Sequence, residues 1–215
     1  MSVKRFLLRI DKKEYLQSLA NGHIFCNRIA KFRKMPTENS KIADSNEGLA
    51  KEEEISHITI NDLVLNVIGP VRFYYPDYFP IFCAYEFEGI STTKGIQGIV
   101  DLSFIEEMKK EKNTSSAIII EKEPFVNLLI SYCNSKKIFI RCGSITYSDS
   151  PLKNNEKEPW KAFFRKDYRF ANQHEWRFLL DNSTDAPDII PNSNSPYEFD
   201  IGNISKISQI ITLPS

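Results

Sequence analysis

"FRKDYRFANQHEWRFLL", residues 164–180, is the densest stretch of the chain, with aromatic, basic and amide side chains set around two carboxylates, Asp167 and Glu175. In an extended strand, alternate side chains face opposite sides. That alternation puts His174, Trp176, Phe178 and Leu180 on one face, expected to be the core side, and Gln173, Glu175 and Arg177 on the other. One reading of the polar trio is the solvated face of an antiparallel strand. The other is a site, because Glu and Gln are poor strand formers and aromatic residues flank this trio. Same-face neighbours two apart lie roughly 7 Å from each other, near enough to converge on one small ligand.

Working outward, residues 3–10 (VKRFLLRI) have strand character. Asp11 with Glu14 has capping-box spacing, and Tyr15, Leu16 and Leu19 supply the apolar stripe of a helix. Asn21-Gly22 ends that helix, glycine readily taking the left-handed C-terminal position, and residues 23–27 form a second strand. Residues 34–54 are polar and turn-rich, and they predict a surface loop of the kind that sometimes closes over a ligand. SHITIND and LVLNVIG read as paired strands turning at Asn61-Asp62, and residues 80–87 as a buried strand.

Further on, residues 101–112 predict a helix with a Ser103–Glu106 capping box, and 117–121 a strand. An amphipathic helix follows, with Phe125, Leu128, Leu129, Tyr132 and Cys133 on one face and Pro124 in its first turn. The remainder is strand-rich. Too few helices separate the strands for a doubly wound sheet, so the expected fold is a single α+β domain over residues 1–215, its sheets mostly antiparallel.

Composition narrows the function. Lys plus Arg equals Asp plus Glu, 28 each, so no global field draws the chain to nucleic acid or an anionic membrane. Lys161, Arg165, Lys166, Arg169 and Arg177, interleaved with Trp160, Phe163, Phe164, Tyr168 and Phe170, do resemble a basic–aromatic nucleic-acid surface. Asp167, Glu175 and the overall neutrality count against that reading. No apolar run approaches the roughly 20 residues of a spanning helix, and the first residues read as neither a signal peptide nor an anchor. Cys26, Cys83, Cys133 and Cys142 include no CxxC pair and no zinc-site spacing, so a cytoplasmic protein without disulfides or structural metal is expected.

Gln173-His174-Glu175 fits the (Gln/Glu)-x-Glu signature of the ADP-ribosyltransferase fold, in which such a strand borders an NAD cleft. The chain also resembles small bacterial and phage proteins through scattered pieces: the opening strand ending in Arg9, then "NGHIFCN", "ADSNEG", "IFCAYEF", "FRKDYRFANQHEWRF" and "FDIGNIS". The resemblance implies antiparallel sheets around a cleft, NAD as substrate and a macromolecular acceptor. It makes Glu175 the catalytic glutamate, stabilising the oxocarbenium-like centre as nicotinamide leaves, and Gln173 the residue that orients the acceptor. Arg9 matches the family's first-strand arginine, suited to a pyrophosphate through bidentate bonds. Arg177 and Asn27 complete the implied dinucleotide contacts.

The family's Ser-Thr-Ser strand motif has no clear counterpart. Ser91-Thr92-Thr93, between Gly89 and Gly95, reads as a turn, and Cys26-Asn27 is the other candidate. Two further readings stay open: a non-catalytic interaction protein on the same scaffold, because fold does not fix function, and a metal-dependent nuclease. The nuclease would gather carboxylates such as Glu175 with Asp44 or Asp101 around a divalent ion. Asp44, Glu47 and Gly48 of the polar loop are a further metal or ligand candidate.

Overall fold

The computed structural model describes residues 2–34, 46, 48–54, 57–60, 63–66, 69–74, 78–93, 95–148, 159–182, 186 and 189–214. Its strands, in chain order, are β1 (Lys4–Ile10), β2 (His23–Arg28), β3 (Leu49–Glu54), β4 (His57–Ile60), β5 (Leu63–Asn66), β6 (Pro70–Tyr74), β7 (Pro80–Thr92) and β8 (Gly95–Gly98), then β9 (Ser116–Glu121), β10 (Ile138–Ser144), β11 (Thr146–Tyr147), β12 (Arg165–Lys166), β13 (Glu175–Asn182), β14 (Tyr197–Asp200) and β15 (Ser208–Thr212). The α-helices are α1 (Lys13–Ala20), α2 (Ile29–Lys34), α3 (Leu102–Lys112) and α4 (Lys122–Lys136). The class is α+β, and the main sheet pairs its strands antiparallel throughout.

Strand β7 organises this sheet. One of its edges carries β13, with Glu175 opposite Tyr85 and Leu179 opposite Ile81. The other edge is shared. Strand β1 pairs with Gly89 back to Tyr85, and β2 pairs only with Ile81 and Pro80. The two strands therefore diverge, and Phe82, Cys83 and Ala84 face the fork between them. One prong continues through β9 to β15, and the other ends at β14.

Apolar side chains fill both faces. On one, Phe125, Leu129 and Cys133 of α4 pack on Leu7, Phe82, Trp176, Phe178 and Leu180, with the Phe82 and Phe178 rings stacked 5.2 Å apart. On the other lie two separate clusters. Phe6, Leu8, Ile10, Tyr85 and Phe87 meet Phe104 of α3, while Ile29, Ile81, Phe163, Phe164 and Leu179 form the second. Each fully buried side chain of this size contributes roughly 1.5–3 kcal/mol.

Several expectations change. Strand β13 begins at Glu175, not before it: Tyr168–Gln173 is a 3₁₀ turn, and His174 sits in the left-handed region at φ 38°. His174 is consequently exposed rather than in the core. The face carrying Glu175, Arg177 and Leu179 is buried, so both sides of this strand lie in the interior. Helix α1 starts at Lys13 without a capping box, and the Asp11 side chain accepts instead from the Lys12 N–H at 3.0 Å. Helix α3 is capped by Asp101, whose carboxylate accepts from the Ser103 N–H at 2.8 Å, not by Ser103 with Glu106.

The polar 34–54 segment ends in a strand, since β3 pairs with β6. Asp44, Glu47 and the turn expected at Asn61-Asp62 lie outside the described residues; β4 and β5 pair antiparallel. Ser91 and Thr92 belong to β7 at the tip of its hairpin with β8, where the Thr92 hydroxyl donates to the Gly95 carbonyl at 2.8 Å. Gly22 does take a positive φ, 99°, and its backbone packs so closely on Gly202 that an added Cβ would lie 2.0 Å from the Gly202 carbonyl oxygen.

Candidate functional site

A cavity of about 120 Å³ opens at the fork, in the seam between the two clusters on one face of the sheet. Leu8, Ile10, Tyr85 and Phe104 wall one side, and Ile81 belongs to the other cluster. Arg9 of β1, Asn27 of β2, and Gln173, Glu175 and Arg177 at the head of β13 all line it. An enclosed volume of roughly 150 Å³ holds one benzene ring, so this one accepts a single ring or a group of similar size.

Glu175 is the centre of the polar wall and is 5% exposed. Its Oε2 lies 2.6 Å from Lys166 Nζ, and its Oε1 accepts from Arg177 Nε at 2.9 Å and Nη2 at 2.6 Å. Burial pushes the carboxyl pKa up, but the Arg177 and Lys166 charges outweigh it and hold the group at about 2, helped by hydrogen bonds from Cys83 and Lys166. The carboxylate is therefore ionised throughout the neutral range.

The remaining contacts fix the geometry. Arg177, 1% exposed, also donates from Nη1 to the Phe163 carbonyl at 2.6 Å. The two-residue strands β11 and β12 pair in parallel and carry Tyr147 and Lys166 to the head of β13. There the Glu175 N–H donates to the Tyr147 hydroxyl at 2.8 Å, and Lys166 Nζ donates to Gln173 Oε1 at 3.0 Å. Burial raises the Cys83 thiol well above its ordinary range, so it stays protonated beside Glu175.

Arg9 occupies the fork. Its Nη1 makes a long 3.4 Å hydrogen bond to the Cys83 carbonyl, on the β7 edge that neither β1 nor β2 covers. Asp11 Oδ2 lies 3.7 Å from Arg9 Nη2, and the guanidinium sits 4.7 Å from the Phe82 ring centre. Asn27, at the last part of β2, lines the wall and accepts from Lys31 Nζ at 3.1 Å. Lys112, at the end of α3, reaches the same cavity; burial lowers its pKa, and Asp11 acts in the opposite sense. Among the described lining residues, Arg9, Lys112, Lys166 and Arg177 outnumber Asp11 and Glu175, so the cavity favours an anionic ligand.

Sequence reasoning missed Lys166, Lys112, Cys83 and Tyr147 as members of this site. Lys166 belonged to the supposed basic–aromatic surface, but it is buried together with Arg177, Phe163, Phe164 and Phe170. Lys166 and Arg177 thus belong to an interior ion cluster, whereas Lys161, Tyr168 and Arg169 of the same run are exposed. Ser91 and Thr92 do not line the cavity, whereas Asn27 does. Asp101 does not line it either, and among the described residues no group of three His, Cys, Asp or Glu side chains is arranged to hold a metal ion. Among those residues, too, no helix is long and apolar enough to cross a membrane. Comparison with known protein families, with curated proteins and with solved structures gives no match to this chain.

Proposed function

We propose that the cavity binds one end of an anion-bearing dinucleotide, NAD, and that the protein transfers ADP-ribose to a macromolecular acceptor in the manner of an ADP-ribosyltransferase. The observation that carries this reading is the convergence of Arg9, Asn27, Gln173, Glu175 and Arg177 on one cavity with an excess of positive charge. The half-open space suits the ring at one end of the dinucleotide. The phosphates then lie at the mouth, near Arg9 and Lys112. Substitution occurs at the ribose C1′ carbon: the bond to nicotinamide breaks, positive charge develops on the ribose, and the acceptor forms the new bond. An ionised Glu175 stabilises that charge more strongly in the transition state than in the ground state.

Glu175 must accept a ribose hydroxyl while held by its neighbours. A carboxylate offers about four acceptor sites, and Lys166, Arg177 and Cys83 supply the donors. The thiol is the weakest of these donors and is the one a hydroxyl displaces. Arg177 and Lys166 then act by fixing the carboxylate rather than by touching ligand.

The test is calorimetry with NAD, followed by incubation of labelled NAD with a cell lysate. Arg9→Ala removes a charge-assisted bond of about 1.5–3 kcal/mol, a loss of roughly ten- to a hundredfold in affinity. Glu175→Gln abolishes transfer. Absence of binding heat in the wild type overturns the cofactor assignment. A second reading, a non-catalytic scaffold, is favoured by the full set of donors already on Glu175; NAD binding without transfer or hydrolysis above the Glu175→Gln level selects it.

A further inference from the structure

A second, open groove of about 860 Å³ lies beside the cavity and shares Tyr85 and Glu175 with it. It arises where β7 loses one neighbour and has not yet gained the next. Strand β13 stops pairing at Tyr85, and β8 begins pairing at Gly89 on the same edge. Alternation turns the Phe87 backbone to the opposite edge, where it pairs with Phe6 of β1, and among the described strands none pairs with Glu88 on the groove edge. The groove wall carries Ile99, 92% exposed, and Tyr168, 60% exposed, which is unusual surface for large apolar side chains placed together around a concavity. Its carboxylates are Glu86, Glu88 and Asp101, and its cation is Arg5. Glu86 is taken up by Lys122 and Ser144, and Asp101 accepts from Ser103 at the head of α3, leaving Glu88 exposed with Arg5 3.7 Å away.

We propose that this groove docks an extended polypeptide segment carrying basic and apolar side chains. The backbone of Glu88 meets an extended chain at this gap, the groove takes alternate side chains, and the excess of carboxylates selects cations and repels nucleic acid. Arg5 is exposed and is displaced by an incoming lysine or arginine. The docked segment lies next to the cavity mouth, but the docking itself does not depend on the dinucleotide reading.

The experiment is fluorescence anisotropy on the full chain with two labelled peptides, one alternating lysine and leucine, the other glutamate and leucine. The lysine peptide binds, more weakly as salt rises. Glu88→Lys and Ile99→Asp, both at exposed positions, each weaken it at least tenfold with melting temperature unchanged. Equal binding of the two peptides, indifference to both substitutions, or preferential binding of a labelled single-stranded oligonucleotide overturns the proposal. NAD calorimetry on Glu88→Lys reports on the cavity separately, so the failure of one assignment is distinguishable from failure of the other.

Discussion

Lys166 Nζ stands 2.6 Å from Glu175 Oε2 and 3.0 Å from Gln173 Oε1, so one buried ammonium joins the end of a 3₁₀ turn to the start of β13. The two residues marked out by the Gln-x-Glu spacing are held together by a third that the spacing does not contain. With Arg177 on the other carboxylate oxygen, the cluster is both the polar wall of the cavity and the joint between turn and sheet.

Removing one member should therefore cost stability as well as function. Glu175→Gln leaves Lys166 and Arg177 buried without their carboxylate and is expected to destabilise by about 3–5 kcal/mol. Lys166→Met costs less, and the double variant is more stable than the sum of the single effects predicts, by roughly 0.5–3 kcal/mol. Urea denaturation of the four proteins measures this coupling; strict additivity means that the contact contributes nothing.

The same cluster gives an acid limb. Glu175 titrates near 4.5 when unfolded and at about 2 when folded, because Arg177 and Lys166 outweigh the burial that opposes them. Its contribution to stability is fully present above the unfolded value and is lost as pH falls from about 4.5 to about 2. Unfolding free energy should decline as pH falls across that window; in Lys166→Met, whose folded carboxyl is held down less, the decline should begin at the same pH but end at a higher one and be smaller.

His23 gives the opposite slope. It lies 2.9 Å from Glu198 and 3.3 Å from Asp200 across the β2–β14 pair, and the Glu198 bond leads the causes that raise its pKa above 6.5. Stability from this tie is present below the unfolded pKa and falls as pH rises through the folded one. NMR titration of the ring should give a raised value that Glu198→Gln brings down.

Gly22→Ala should be among the most damaging small substitutions. The residue has φ 99°, and the new methyl meets the Gly202 carbonyl oxygen at 2.0 Å, so strain adds to clash. An unstrained glycine exchange raises stability by roughly 0.4–1 kcal/mol, whereas here a thermal melt should show a loss larger than that gain. By contrast, Gly95→Ala, where nothing lies within 4 Å of the new carbon, carries the φ 123° strain alone and should melt higher.

Local periodicity made the main frame legible. The stripe Phe125, Leu129 and Cys133 marks α4, and the apolar runs of β1, β7 and β9 mark buried strands. Alternation also placed Trp176, Phe178 and Leu180 together against α4. It failed one residue earlier, because the left-handed backbone at His174 breaks the alternation and turns its ring outward. Gln173 reaches the cavity all the same, through the preceding 3₁₀ turn rather than through a shared strand face. Lys166 was illegible for a different reason: its partnership with Glu175 depends on β11 and β12, and two-residue strands leave no pattern to read.

The fork in β7 has one more consequence. Where β1 and β2 part, the carbonyl of Cys83 faces the opening and is met by an arginine side chain instead of a neighbouring strand. That acceptor belongs to the main chain. Substitution of Cys83 alters the thiol beside Glu175 but leaves the carbonyl in its position, and substitution of Arg9 exposes the carbonyl to whatever fills the space. Part of the chemistry at the seam is thus written in the strand order itself, beyond the reach of any single side-chain exchange.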